Sequence, residues 1–141
     1  MFSENLVMTG RLAIAVNGEV VKEVPNLVVT TGKEYVASRM KDATTTAMSH
    51  MAVGSGSTSP AAGDTALGSE LDRQALASTT VSSNEITYVA TFGAGDGTGA
   101  ISEAGLFNAA SGGDMLCRTT FGVVNKGASD SMTITWVVTV S

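Results

Sequence analysis

Charge is scarce in this chain: only 15% of its 141 residues are Asp, Glu, Lys or Arg, against roughly 25% in an average soluble domain. It also holds one cysteine, one histidine, one tryptophan and two prolines. Each scarcity excludes something. A single Cys117 cannot form an internal disulfide, so nothing indicates an oxidising compartment and cytosolic synthesis is the default. His50 is the only histidine, so a Ser-His-Asp arrangement would have to be built on it, and its surroundings carry nothing like a nucleophile elbow. Zinc or iron needs several His or Cys at set spacings. Asp64, Asp96, Asp114 and Asp130 stand singly in loops, where a calcium loop gathers carboxylates at alternating positions; each reads as a turn or cap residue. No catalytic residue, no metal and no cofactor is therefore expected. The eight Lys and Arg are scattered and the net charge is −5, which argues against nucleic acid, because phosphate binding needs clustered cations. No apolar run approaches the roughly 18 residues of a membrane span, and the N-terminus lacks the basic region of a signal peptide.

What is present is alternation. In the stretch from Asp130 to Val140, the residues Met132, Ile134, Trp136, Val138 and Val140 fall on every second position. Strand side chains alternate between faces, so these five large apolar groups share one side, with Thr133, Thr135 and Thr139 on the other. An oily strand face needs a second layer, so the chain reads as sheet on sheet. Gly, Ser, Thr and Ala abound; hydroxyls can stand in for charge on exposed strand faces, and a charge-poor exterior equally suits an assembly surface.

Strands are expected at 7–16 and 19–24, joined by Asn17-Gly18, a pair suited to a turn in which both residues have positive φ. Pro25-Asn26 breaks the second, and Leu27-Val28-Val29 makes a short third. Thr31 with Glu34 three residues on has the form of a capping box, so a helix is expected at about 32–41, packing Val36 and Met40 against a sheet. From Met48 to Val53 strand and helix readings compete, until Gly54-Ser55-Gly56-Ser57-Thr58-Ser59-Pro60 opens a long surface loop. There Asp64 is expected to cap a single turn carrying Leu67 and Leu71. Strands follow at 73–81 and 85–92, the second with Ile86, Tyr88, Ala90 and Phe92 on its apolar face. The glycine run from Gly93 to Gly99 lacks the Gly-Lys-Ser/Thr ending of a phosphate loop and reads as a mobile loop. Two more strands, from Ile101 to Asn108 and from Met115 to Phe121, flank a Gly112-Gly113 turn. They place Glu103 and Arg118 on neighbouring strands, where a cross-strand ion pair is expected. The fold class is therefore mainly β, an antiparallel β-sandwich or jelly-roll-like domain with one short helix, as a single domain over 1–141.

Three stretches together carry a family likeness: Asn26-Leu27-Val28-Val29-Thr30-Thr31-Gly32-Lys33, then Met51 through the Gly54–Asp64 loop to Leu67, then Ile101-Ser102-Glu103-Ala104-Gly105-Leu106-Phe107-Asn108. In order and spacing, closing on the Thr-Ile-Thr-Trp strand, nearly the whole chain resembles small virion structural proteins of tailed bacteriophages. The resemblance implies a non-enzymatic structural protein made in the host bacterial cytoplasm. It implies a decoration or cement protein on the outer capsid surface, with the major capsid protein as partner, working as a homo-oligomer (dimer or trimer) and binding neither nucleic acid nor membrane. A tail-fibre or baseplate-associated component is the alternative. A chain of this length starting at Met1, without a receptor-binding domain or fibrous repeat, favours the head. Residues 1–9 are expected to form an interaction arm, because apolar Phe2, Leu6, Val7 and Met8 precede the first clear turn. Interface candidates are Phe2, Leu6 and Met8 in this arm, Pro60 in the first long loop and Asp96 in the glycine loop.

Overall fold

The computed structural model describes residues 5–41 and 45–141. It holds ten strands and one helix: β1 (Met8–Val16), β2 (Glu19–Pro25), β3 (Leu27–Val28), α1 (Thr30–Lys41), β4 (His50–Gly54), β5 (Glu70–Ala75), β6 (Ser78–Ser82), β7 (Glu85–Phe92), β8 (Gly99–Phe107), β9 (Met115–Lys126) and β10 (Met132–Val140). They form two five-stranded sheets, ordered β2-β1-β10-β7-β6 and β3-β9-β8-β4-β5, and every pairing is antiparallel. Over the described residues the protein is mainly β, with two sheets and one helix, consistent with a β-sandwich.

The alternation in β10 explains why this strand lies at the centre of the first sheet. Met132, Ile134, Trp136 and Val138 are buried, and β10 pairs on both sides, with β1 from Met8↔Val140 to Val16↔Met132 and with β7 from Met132↔Phe92 to Thr139↔Glu85. Leu12 and Ile14 of β1 and Tyr88, Ala90 and Phe92 of β7 extend the same apolar face. It meets Met51, Val53, Ile101, Leu106, Leu116, Cys117 and Val124 of the second sheet in one contiguous core. Trp136 is fully buried, and its indole N–H donates to Asn26 Oδ1 at 2.8 Å, which removes the cost of an unpaired donor in the core. Asn26 can reach the indole because residue 10 is glycine; a Cβ there would collide with the Asn26 carboxamide.

The turns follow the sequence chemistry. Asn17 and Gly18 both have positive φ, 51° and 83°, as a two-residue turn between twisted strands requires. Asn17 also ties this hairpin to the start of β10: its side chain donates to Asp130 Oδ1 and accepts from the Ser131 amide. The glycine loop between β7 and β8 is held in place by Gly95 N–H to Ala128 O, Asp96 N–H to Gly93 O and Lys126 Nζ to Gly93 O.

Four expectations need correction. The helix begins at Thr30, with the Lys33 amide donating to Val29 O, so Val29 occupies the cap position and Thr31 lies within the first turn. Val36 packs on the core as expected, with Tyr35 beside it, but Met40 is 81% exposed. The helix leans on β9 through Gly32, where a Cβ would collide with the carbonyl of Leu116; Met40 lies in the last turn, at the other end of the helix from that contact. The run 73–81 is two strands in different sheets, since the chain passes from β5 to β6 across Leu76-Ala77. Its uninterrupted residue pattern holds no Gly or Pro to mark the crossing. Finally, Asp64 caps no helical turn; Leu67 is buried in the loop, but Leu71 lies in β5 and is exposed.

Candidate functional site

The second sheet carries a polar centre on the face turned away from the main core. A register shift in the β8–β9 ladder between Ile101 and Glu103 puts Ala104 and Leu106 in the main core, and a second shift, between Leu106 and Phe107, passes over Leu116 of β9; Phe107 falls on the opposite face and joins a second cluster with Val29, Ala52, Leu67 and Met115. By the same alternation Glu103 and Gly105 take this outer face. The segment 55–69 lies over it, pinned by Leu67 and by the Ser55 amide to Ser69 O. Arg73 of β5 stacks its guanidinium 3.8 Å from the Phe107 ring centroid at the rim.

Beneath that loop Glu103 is fully buried. Its Oε2 accepts from the amides of Gly56 and Ser69, both at 2.7 Å, and its Oε1 from the amide of Gly68 at 2.8 Å. Arg118 on β9, 2% exposed, donates to Oε1 through Nη2 at 3.0 Å and Nε at 3.3 Å. The same guanidinium reaches Thr58 O at 2.9 Å and Asp64 Oδ2 at 3.0 Å, and Asp64 Oδ2 also accepts from the Ala61 amide. Ser102 Oγ donates to Gly56 O. Each end of the loop and its middle is thus tied to one buried ion pair. Glycine is required at 56 because a Cβ would run into the Glu103 carboxylate, and at 54 because it would meet both Ser69 O and that carboxylate.

The electrostatics follow from these contacts. Burial pushes the Glu103 carboxyl up, but the amides of Gly68 and Ser69, the Arg118 guanidinium and the Gly56 amide together outweigh it and hold the carboxyl below its usual range. A buried carboxylate stays charged at modest cost only when its oxygens are paired in this way. The expected Glu103–Arg118 pair is therefore present, and it is the centre of a larger cluster in which every donor to the Glu103 carboxylate comes from the covering loop or from β9. With both oxygens occupied and no exposure to solvent, Glu103 is a clamp for the loop. What the sequence concealed is that Asp64 and the glycines of 54–68 complete this cluster; the visible signal was opposite charges in apolar strands beside a Gly-Ser-Gly run.

The interface candidates do not converge. Phe2 lies outside the described residues. Leu6 is 73% exposed. Met8 belongs to β1, so the arm expected over 1–9 overlaps that strand, and Met8 lines a groove of about 310 Å³ with Val36, Met48, Val81, Ile86 and Val138. Pro60 is half-buried near Leu27 and Thr120. Asp96 is half-buried in the glycine loop. His50 pairs its Nδ1 with Ser49 Oγ at 2.7 Å. Among the described residues no three His, Cys, Asp or Glu are grouped to hold a metal ion, and no helix is long and apolar enough to cross a membrane.

Comparison with known proteins finds no match. No family model, no curated protein and no solved structure is similar to the chain.

Proposed function

We propose that this chain is a non-enzymatic structural subunit of a tailed-bacteriophage virion, a decoration or cement protein that binds the outside of the assembled capsid as a homo-oligomer. The observation that carries the reading is the clamp under the 54–69 loop. Two of the three stretches behind the phage resemblance, 51–67 and 101–108, meet there, and the buried charge fixes the shape of an uncharged loop running from Gly54 to Gly63. A surface loop held by buried bonds is suited to docking on a partner, because little ordering remains to be done when it binds. The acidic balance fits an outward position, where packaged DNA need not be neutralised. Such a protein would stabilise the shell by mass action, binding assembled subunits and not free ones.

The test is a phage lacking the gene, together with labelling of purified virions. Capsids without the protein are expected to assemble but to open at lower temperature than complete ones, and label is expected over the whole head. Label confined to the tail, with normal capsid stability in the deletion phage, would reject the head assignment in favour of a tail component.

A further inference from the structure

Four strands end the two sheets: β2 and β6 in the first, β3 and β5 in the second. An open edge presents unpaired backbone groups to any other strand, and proteins blunt it with charge, proline, bulges or brevity. Three of the four edges are blunted. β2 carries Glu19, Lys22 and Glu23 and ends in Pro25. β5 carries Glu70, Asp72 and Arg73, with a register shift opposite Val53 and Gly54. β3 is two residues long.

The fourth is bare. β6 reads Ser78-Thr79-Thr80-Val81-Ser82, with every residue exposed and Val81 at 68%. No charged residue occurs between Arg73 and Glu85. Its register with β7 runs without a shift from Ser78↔Val89 to Ser82↔Glu85. Because Ser82 and Glu85 flank a two-residue turn, they form a hydrogen-bonded pair, and Thr80↔Thr87 and Ser78↔Val89 follow by alternation. The backbone groups left facing outward are those of Thr79 and Val81.

We propose that β6 is the contact between two copies of this chain, paired antiparallel about a twofold axis at Thr80. The outward groups dictate that register. Thr79 of one copy exchanges backbone hydrogen bonds with Val81 of the other, and Thr80 faces its own counterpart across the axis, so the same strand satisfies itself, as a twofold contact demands. The strand's chemistry favours a second copy over a foreign strand: it offers no charge for a partner to complement, and on a chain of net charge −5 a neutral edge is where like copies meet with least repulsion. Thr79 and Val81 also line the apolar groove, so pairing places each Val81 beside the partner's Thr79 and continues the groove wall across the axis. The two first sheets become one continuous sheet.

This inference rests on the reading of the chain as a subunit of an assembly, and the two fail separately, since self-association is measured on the pure protein and location on the virion. The experiment is sedimentation equilibrium of the full chain and of Thr80→Lys and Thr80→Glu. Wild type is expected at twice the 14.3 kDa chain mass, and each variant alone to bind itself up to about fivefold more weakly, because like charges face each other across the axis. An equimolar mixture of the two variants is expected to recover the dimer. Thr80→Cys supplies an independent reading: at a directly opposed strand position it should oxidise to a disulfide-linked dimer, with the buried Cys117 out of reach. A wild type that stays monomeric at high concentration, or an oligomer that tolerates both charged variants and gives no Thr80→Cys cross-link, overturns the proposal.

Discussion

Glu103 and Trp136 show the same problem solved with different partners: a polar group in an apolar interior that must be paired. For Glu103 the consequence is a pH dependence. Its carboxyl is held below the ordinary value of 4.5, so the folded state binds its proton less readily than the unfolded chain. The stability it contributes is complete above about pH 4.5 and is lost as pH falls through the lower folded value. Asp130, held down by the Asn17 side chain and the Gly127 amide, acts in the same direction. Glu103→Gln keeps the shape but leaves Arg118 short of a countercharge, and breaking a buried pair in this way costs on the order of 3 kcal/mol. Chemical denaturation at pH 7 is expected to show that loss, and the gap between wild type and variant should narrow towards pH 3. A gap independent of pH would mean that the Glu103 charge contributes nothing. For Trp136 the partner is Asn26. Trp136→Ala should cost ~3 to 5 kcal/mol by cavity formation, whereas Asn26→Ala, which orphans the indole N–H, should cost ~1 to 3 kcal/mol, both read from denaturation midpoints at constant slope.

The helix α1 carries a prediction of opposite sign to the usual rule. Exchanging a helical glycine for alanine ordinarily stabilises by about 1 kcal/mol, yet Gly32 sits against the Leu116 carbonyl with no room for a Cβ. Gly32→Ala is therefore expected to lower the thermal midpoint; an unchanged or raised midpoint would show that the helix can lift off β9 at no cost. The same helix marks the limit of what the sequence disclosed. β10, β7, the Asn17-Gly18 hairpin and the β8–β9 pair were legible because period-two alternation and turn chemistry are local signals. The Glu103–Arg118 pair was legible because opposite charges stood in strands read as neighbours. The outward turn of Met40, the passage between β5 and β6, and the part played by Asp64 were not legible, since each depends on what lies opposite in the folded chain. Glycines 54 and 56 read as loop punctuation although their reason is room for a carboxylate more than 40 residues away, the Gly56 amide and Glu103 being 47 positions apart.

Both sheets are assembled from distant parts of the chain. β1 and β10, whose residues Met8 and Val140 are partners, lie at opposite ends of the sequence, and Val7 and Ser141 exchange backbone hydrogen bonds beyond them. Since β10 separates β1 from β7 in the first sheet, that sheet cannot close until the last strand is in place. Closing such long loops before their contacts form is the slow step for β-rich topologies, which fold in roughly milliseconds to seconds where helical bundles of similar size take microseconds to milliseconds. Trp136, the only tryptophan and fully buried, provides the signal. Refolding followed by its fluorescence is expected in the slower range, and a chain truncated after Ser131 is expected to remain unfolded. Cys117 gives a second probe from the opposite sheet: it is buried, and burial pushes its thiol well up, so the folded protein should resist thiol reagents. If the two sheets unfold as one unit, the denaturant dependence of Cys117 labelling must coincide with that of Trp136 fluorescence. Labelling that runs ahead of the fluorescence change would show that the second sheet opens while the β10-centred sheet stands, and would break the two-layer core into separately stable halves.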